Sequence, residues 1–240
     1  MRWIHPEKGL IPPDTFIPAC EASGIIGDLG KIVLTQAAAA QKVWASQGHD
    51  LRVSVNLSPV QFGEETLVDD LLEIMLKTDC SPHCVELEIT ESVAAKSLHE
   101  ANAKLQELSD FGVQIALDDF GTGFSSLSYL QQLTCDVVKI DRSFICNLET
   151  SDKDYSIVRA IIQLAHTLDK KVVAEGVENI QQESLLRELK CQWAQGFKYS
   201  KAIPVDQFIL LLDQWEGLNP VPTKENIPVL KVAVLSLIHS

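Results

Sequence analysis

Five polar residues stand at or near the ends of five short apolar runs, and most of them are of types that bind cations. They are Asn56, Glu88, Asp118, Lys139 and Glu175. In each run bulky aliphatic residues alternate with the polar positions, which is the two-residue period of a β-strand. Because the carboxyl ends of parallel strands meet at one edge of a sheet, we expect these side chains to converge.

The charge balance of this set predicts a metal site. The acidic members are Glu88, Asp118, Asp119 and Glu175, and Lys139 is the cation among them. At about 4 Å and an effective dielectric constant of about 20, each like-charge pair costs roughly 4 kcal/mol. A structural ion-pair cluster is the alternative, but one lysine leaves most of the negative charge uncompensated. Ligands with carboxylate and amide oxygens favour Mg²⁺ or Mn²⁺ over Zn²⁺.

The elements that must position these side chains alternate between strand and helix. Strands are predicted at 52–57, 85–90, 113–118, 137–140, 171–175 and about 193–196. Helices are predicted at 14–23, 29–47, 65–77, 98–110, 126–133, 152–168, 181–189 and 204–215. Since helices separate nearly every pair of strands, we predict a parallel sheet closed into a (β/α) barrel. Antiparallel strands with one polar face in water are the alternative.

The two ends of the chain fit this alternation poorly. Residues 1–13 contain three prolines and a glycine, so we expect no long regular element there. Residues 218–240 begin with a proline-rich stretch and end in an apolar run that matches no preceding unit. We therefore predict one domain over 1–217 and an unassigned tail over 218–240.

Composition narrows the classes of partner. The chain has 240 residues, 46% of them hydrophobic, which suffices for one substantial core. Its formal net charge of −13 argues against binding a nucleic-acid polymer or an anionic membrane, but not against a small anion held through a metal. With no apolar stretch near the ~20 residues of a membrane span, we expect a cytoplasmic domain, although the full-length protein could be membrane-anchored.

Six short motifs, in this order, are similar to those of the EAL domain, the bacterial cyclic-di-GMP phosphodiesterase family. They are Asn-Leu-Ser at 56–58, Glu-Ile-Thr-Glu-Ser at 88–92, Asp-Asp-Phe-Gly-Thr-Gly at 118–123, Lys-Ile-Asp at 139–141, Ala-Glu-Gly-Val-Glu at 174–178 and Gln-Gly at 195–196. The resemblance runs from Arg2 to about Trp215. It implies a modified TIM barrel, usually dimeric, that hydrolyses cyclic di-GMP to linear pGpG with Mg²⁺ or Mn²⁺.

The resemblance also implies which residues hold the metals. Asn56, Glu88 and Asp118 match metal ligands of the family. Asp118, Asp119 and Glu175 match the positions around a second metal ion. Glu175 additionally matches a proposed general base.

Four further residues match positions with other roles in the family. Lys139 matches a lysine that touches the attacking water. Gln195 and Arg2 match substrate contacts, with Arg2 directed toward a phosphate. Glu91 matches a glutamate that anchors the loop at 120–128, which links the site to the dimer interface.

The chain departs from the family at its start. It begins Met1-Arg2-Trp3, so the Glu-Ala-Leu triplet that precedes the matching Arg-Trp is absent, together with its strand. The glutamate of that triplet is a metal ligand in the family, so we expect a weaker metal site, and open strand edges beside residues 1–4. We favour a fragment of a longer protein, with flanking sensory or GGDEF-type domains, over a natural protein that has lost part of its own metal site.

Two other functions remain open. A catalytically silent receptor for cyclic di-GMP, or a dimerisation scaffold, is the alternative that the missing glutamate suggests. A Mg²⁺ enzyme of the enolase type would use Lys139 as a base for proton abstraction. The Asp118-Asp119 pair and the glycine-rich turn after it fit that last reaction poorly.

Overall fold

A computed structural model of the chain describes residues 2–49, 51–94, 97–123, 127–213 and 237–238. These residues fall into two compact units. The first comprises residues up to 86 together with those from 202 onward, and the second comprises residues 87–201. In the part of the chain so described, no helix combines the length and the apolar character needed to cross a membrane.

The first unit is mostly helical around short strands. Its strands are β1 (Arg2–His5), β2 (Gly9–Ile11), β3 (Val53–Leu57), the start of β4 (Val85–Thr90) and β9 (Leu237–Ile238). Its helices are α1 (Pro13–Ser23), α2 (Ile26–Ser46), α3 (Pro59–Phe62), α4 (Leu67–Thr78) and α11 (Val205–Asp213). The rings of Trp44 and Phe208 meet edge to face with centroids 4.9 Å apart, so α11 packs against α2.

The strands at the start of the chain form a small sheet of their own. β1 pairs antiparallel with β2 on one side and parallel with β9 on the other. The open edge predicted beside residues 1–4 is therefore wrong for Arg2 and Trp3, which pair with β9. Unpaired backbone groups of an edge strand accept any extended segment that reaches them, and here the end of the tail does so. The remainder of the tail, 218–236 and 239–240, lies outside the described residues.

The second unit is built from alternating strands and helices. Its strands continue with β5 (Gln114–Phe120), β6 (Val137–Ile140), β7 (Lys171–Glu175) and β8 (Trp193–Gln195), and they lie in the order β4-β5-β6-β7-β8. Its helices are α5 (Glu91–Ala94), α6 (Leu98–Asp110), α7 (Leu127–Gln132), α8 (Arg142–Ile145), α9 (Asp152–Thr167) and α10 (Ile180–Glu188). Strands β5 to β8 pair in parallel, which confirms the predicted sheet with helical crossovers.

Both faces of this sheet are buried. Leu117 and Ile140, on the aliphatic face, are completely inaccessible to solvent, and α6 and α9 pack there. Ala116 and Val137, on the opposite face, are equally inaccessible. A parallel sheet covered on both sides is typical of (β/α) folds and excludes the antiparallel alternative, in which one face meets water.

Candidate metal centre

Lys139 lies at the centre of a cluster of carboxylates in the second unit. Its Nζ is 2.9 Å from Glu88 Oε2, 2.8 Å from Asp118 Oδ1 and 2.6 Å from Glu175 Oε1. Only 3% of the lysine side chain is exposed. The cluster draws on four neighbouring strands, β4 to β7, each contributing one side chain near its carboxyl end. The structure thus brings together four of the five strand-end residues of the sequence pattern.

Asp118 and Asp119 lie in an irregular part of β5. Between Leu117 and Phe120, β5 advances three residues while β6 advances two, which defines a β-bulge. Asp119 has a left-handed φ of 54°, and its N–H donates to Asp118 Oδ1 over 3.1 Å. The strand predicted to end at residue 118 therefore continues to Phe120. Alternation alone would turn the two carboxylates to opposite faces, and the bulge brings them to the same strand end.

Three carboxylates of the cluster can share one cation. Asp118, Asp119 and Glu175 each offer an oxygen within 4.8 Å of the other two. Glu175 Oε1 is buried and lies 2.6 Å from Lys139 Nζ. One lysine cannot balance Glu88, Asp118, Asp119 and Glu175, so a further cation would stabilise the cluster. The donor set fits the hard divalent ions that the sequence predicts.

Burial and crowding of charge shift the pKa values in this cluster. Burial raises the pKa of Glu175 to about 7; Lys139 opposes this shift and the nearby Asp118 reinforces it. Asp119 is exposed, but nearby protein atoms still desolvate its carboxylate. This desolvation and the charge of Asp118 raise the pKa of Asp119. Burial lowers the pKa of Lys139, but the surrounding carboxylates outweigh burial and raise it overall. Lys139 therefore stays protonated, and the carboxylates retain an excess of negative charge.

An apolar layer lies beneath the cluster on the same face of the sheet. Its members are Ala116, Val137 and Val173, with Trp193 packed against them. The two-residue period places Ala116 one step before Asp118 and Val137 one step before Lys139. This layer closes one side of the cluster, so we expect ions and ligands to reach the charged side chains from the strand ends.

Gln195 lies next to Glu175 in the sheet. The two residues pair in register between β7 and β8. The N–H of Val177 donates to the Gln195 carbonyl over 3.0 Å, so the turn after β7 is tied to β8. The predicted substrate contact of Gln195 stays a prediction, and its half-buried position beside Glu175 is compatible with it.

A side chain that the sequence analysis did not single out holds the turn between β7 and α10. Gln182 is 3% exposed, and its Oε1 accepts from the N–H groups of Glu178 (2.8 Å) and Asn179 (3.4 Å). In return, Asn179 Oδ1 accepts from the Gln182 N–H over 2.9 Å. This reciprocal cap fixes the chain that leaves Glu175. An Asn followed three positions later by Gln, ahead of a helical pattern, was the available signal.

Glu91 reaches the loop that follows β5. Its Oε1 accepts from the Gly121 N–H over 3.2 Å, and the Tyr129 hydroxyl donates to its carbonyl over 3.2 Å. A Cβ on Gly123 would lie 2.2 Å from Glu91 Oε2, so the chain passes the carboxylate only because Gly123 has no side chain. The anchoring role of Glu91 stays a prediction, and residues 124–126 of the loop lie outside the described residues.

Two predicted site residues belong to the first unit. Asn56 is the fourth residue of β3, and its side chain is exposed. Arg2 is the first residue of β1, and its side chain lies outside the described part of the structure. The roles of both residues, as metal ligand and as phosphate contact, stay predictions.

The parallel α/β fold and its acidic cluster define a TIM-type protein with a candidate divalent-metal centre. Residues 1–202 match the family model of the EAL domain. The chain therefore belongs to the EAL domain family, and the resemblance predicted from the sequence is confirmed.

Two curated relatives come from Pseudomonas aeruginosa. The bifunctional diguanylate cyclase/cyclic di-GMP phosphodiesterase MucR is 41% identical over 210 residues, covering 87% of this chain and 31% of MucR. The cyclic di-GMP phosphodiesterase NbdA is 40% identical over 206 residues, covering 85% of this chain and 33% of NbdA. The chain thus spans about a third of the length of these relatives.

Solved structures agree with this assignment. The MucR phosphodiesterase of P. aeruginosa in complex with c-di-GMP has a TM-score of 0.83 and 42% identity, covering 86% of this chain and 84% of that one. The EAL domain of Mycobacterium smegmatis DcpA has a TM-score of 0.74 and 39% identity, covering 79% of this chain and 86% of that one. The predicted α/β, TIM-barrel-like fold class is confirmed.

Proposed function

We propose that this chain hydrolyses one phosphodiester bond of cyclic di-GMP, giving linear pGpG, with the help of bound divalent cations. The observation that carries the proposal is the acidic cluster, in which the buried Asp118, the half-buried Glu175 and the exposed Asp119 can share one ion. Its relatives MucR and NbdA are named cyclic di-GMP phosphodiesterases. Buried carboxylates in excess of their cations destabilise a fold, so a purely structural origin explains the cluster poorly.

The metal ions are proposed to be two Mg²⁺ or Mn²⁺ ions. Glu88, Asp118, Asp119 and Glu175 would hold them, with Asn56 as a further ligand. Divalent cations held there would supply a water of lowered pKa and would offset the negative charge of the phosphate. Without them, the excess charge of the carboxylates would repel an anionic ester.

Lys139 and Glu175 are the residues proposed to act on the water and its proton. The Lys139 ammonium is a fixed positive charge that can orient a water at the cluster and stabilise developing negative charge. Glu175 is proposed to accept the proton of that water, as a general base must. Gln195 and Arg2 are proposed to contact the dinucleotide, and Glu91 to anchor the loop at 120–128.

The setting of the domain is a further part of the proposal. We infer a homodimer in the cytoplasm, joined in the intact protein to sensory or GGDEF-type domains. MucR supports the flanking domains, because it is bifunctional and this chain covers 31% of it. No nucleic-acid polymer is proposed as a partner, given the formal net charge of −13.

Hydrolysis of cyclic di-GMP by this chain, and by the full reading frame that contains it, tests the proposal. With Mg²⁺ or Mn²⁺, anion-exchange chromatography should show pGpG, and a chelator or the Asp118→Asn substitution should abolish it. Calorimetric binding without product from either protein would replace the proposal with the silent receptor. A result with no binding and no product would overturn the proposal outright.

A further inference from the structure

An exposed arginine lies beside the acidic cluster. Arg142 is the first residue of α8 and follows Lys139 by three positions, just beyond the end of β6. Its side chain is exposed. Among the residues that the structure describes, it forms no ion pair. A cation of this kind is free to bind an anion from solution.

The stem of Arg142 lies against Gly176, the residue that follows Glu175 in the chain. A Cβ on Gly176 would lie 2.6 Å from Arg142 Cβ and 3.9 Å from its Cγ, so the arginine stem lies directly over the glycine backbone. Gly176 also has a φ of 73°, which residues with a side chain rarely adopt. A residue with a side chain at position 176 would therefore displace the arginine stem.

Two carboxylates are close to Arg142 in the sequence or to its neighbour Gly176, namely Asp141 and Glu175, and both have other partners. Asp141 Oδ1 accepts from the Ser143 N–H over 2.9 Å and caps α8. Glu175 pairs with Lys139 at 2.6 Å. Arg142 therefore remains available to an anionic ligand in a chain whose formal net charge is −13.

We propose that Arg142 binds the phosphate of the cyclic dinucleotide that the metal ions do not hold. This inference rests on the proposed function, since the substrate carries two phosphodiesters and the metal cluster acts on one. A guanidinium presents two parallel N–H donors, which match two oxygens of one phosphate. Arg142 then selects ligands with a second phosphate over mononucleotides.

Calorimetric affinity for a phosphorothioate analogue of cyclic di-GMP, which resists hydrolysis, tests this role in the presence of Mn²⁺. Arg142→Met should raise the Kd by about 10–100-fold, because a charge-assisted contact is lost. Arg142→Lys should raise it less, since it keeps the charge and loses the fork. Arg159→Met, at an exposed arginine on α9, is the matched control and should keep the wild-type Kd.

Comparison with GMP, which has a single phosphate, distinguishes a ligand contact from a structural role. Arg142→Met should reduce the preference for the cyclic dinucleotide over GMP, while its melting temperature shows that it folds. Equal Kd values for Arg142→Met and wild type, or equal losses for both ligands, would overturn the inference alone. A wild-type chain that neither binds the analogue nor hydrolyses cyclic di-GMP would overturn the inference and the proposed function together.

Discussion

Asp118 and Asp119 are adjacent in a strand, yet their carboxylates approach the same oxygen of Glu175 to within 4.8 Å. The bulge in β5 and the φ of 54° at Asp119 make this possible. A left-handed backbone at a residue other than glycine costs about 1–3 kcal/mol, and Asp and Asn tolerate it best. This strain therefore lies where two carboxylates that could share one ion meet.

Asp119→Asn tests whether the bulge serves metal binding. Asparagine keeps the size and tolerates the same φ, so the change removes only a charged ligand. We expect the affinity for Mn²⁺, measured by calorimetry, to fall by at least about 10-fold. Asp169→Asn is the matched control, because Asp169 is exposed and has the same φ of 54°. Equal affinities for the two variants would exclude a contribution of the Asp119 charge to metal binding.

Lys139→Met tests the balance of charge in the cluster. The substitution leaves three buried carboxylates without their cation, so the metal-free protein should lose about 3–5 kcal/mol in its free energy of unfolding. Mg²⁺ should restore part of that loss, because the ion replaces the lysine charge. Urea denaturation with chelator and with Mg²⁺ measures both effects, and Lys153→Met on the exposed side of α9 is the control. A chelated Lys139→Met protein as stable as wild type would contradict the ion-pair account.

Glu91→Ala tests the proposed anchor of the loop after β5. The variant removes the acceptor of the Gly121 N–H and the carboxylate that lies against Gly123. Small displacements near a reacting centre are costly, so we expect kcat/KM for cyclic di-GMP to fall by about 10–100-fold. Glu91→Gln keeps an acceptor oxygen and should lose less. If both variants fall equally, the charge of Glu91 matters and its hydrogen bond does not.

Much of the site could be predicted because parallel strands have a simple geometry. A period of two and the common end of parallel strands place Glu88, Asp118, Lys139 and Glu175 together, and the structure finds them joined by ion pairs. These rules need only the local sequence. They give the positions of side chains that follow the regular pleat.

The features that the sequence did not predict depend on partners distant in the chain. The direction of Asp119 depends on a register shift against β6, which no local pattern encodes. The pairing of β1 with β9 joins residues more than 200 positions apart, and Leu237 and Ile238 carry no signal for that partner. The stem of Arg142 over Gly176 likewise arises from two turns that meet only in the folded sheet.

Glu183 holds α10 to the segment after β8 and gives a prediction for pH dependence. Its side chain is 8% exposed, and its two oxygens lie 2.7 Å from Arg187 Nη2 and 2.6 Å from Lys198 Nζ. Burial raises the pKa of Glu183, but the two cations outweigh burial and hold it below the ordinary value of 4.5. The charged carboxylate therefore adds stability above pH 4.5, and this contribution disappears as the pH falls through the lower folded-state pKa.

Glu183→Gln should accordingly lower the free energy of unfolding by about 1–3 kcal/mol at neutral pH. The difference from wild type should shrink in acid, because the wild-type carboxyl becomes neutral as well. Urea denaturation at a series of pH values measures it, with Glu188→Gln, an exposed glutamate of the same helix, as the control. A difference that is constant from neutral to acidic pH would mean that packing of the side chain, and not its charge, stabilises α10.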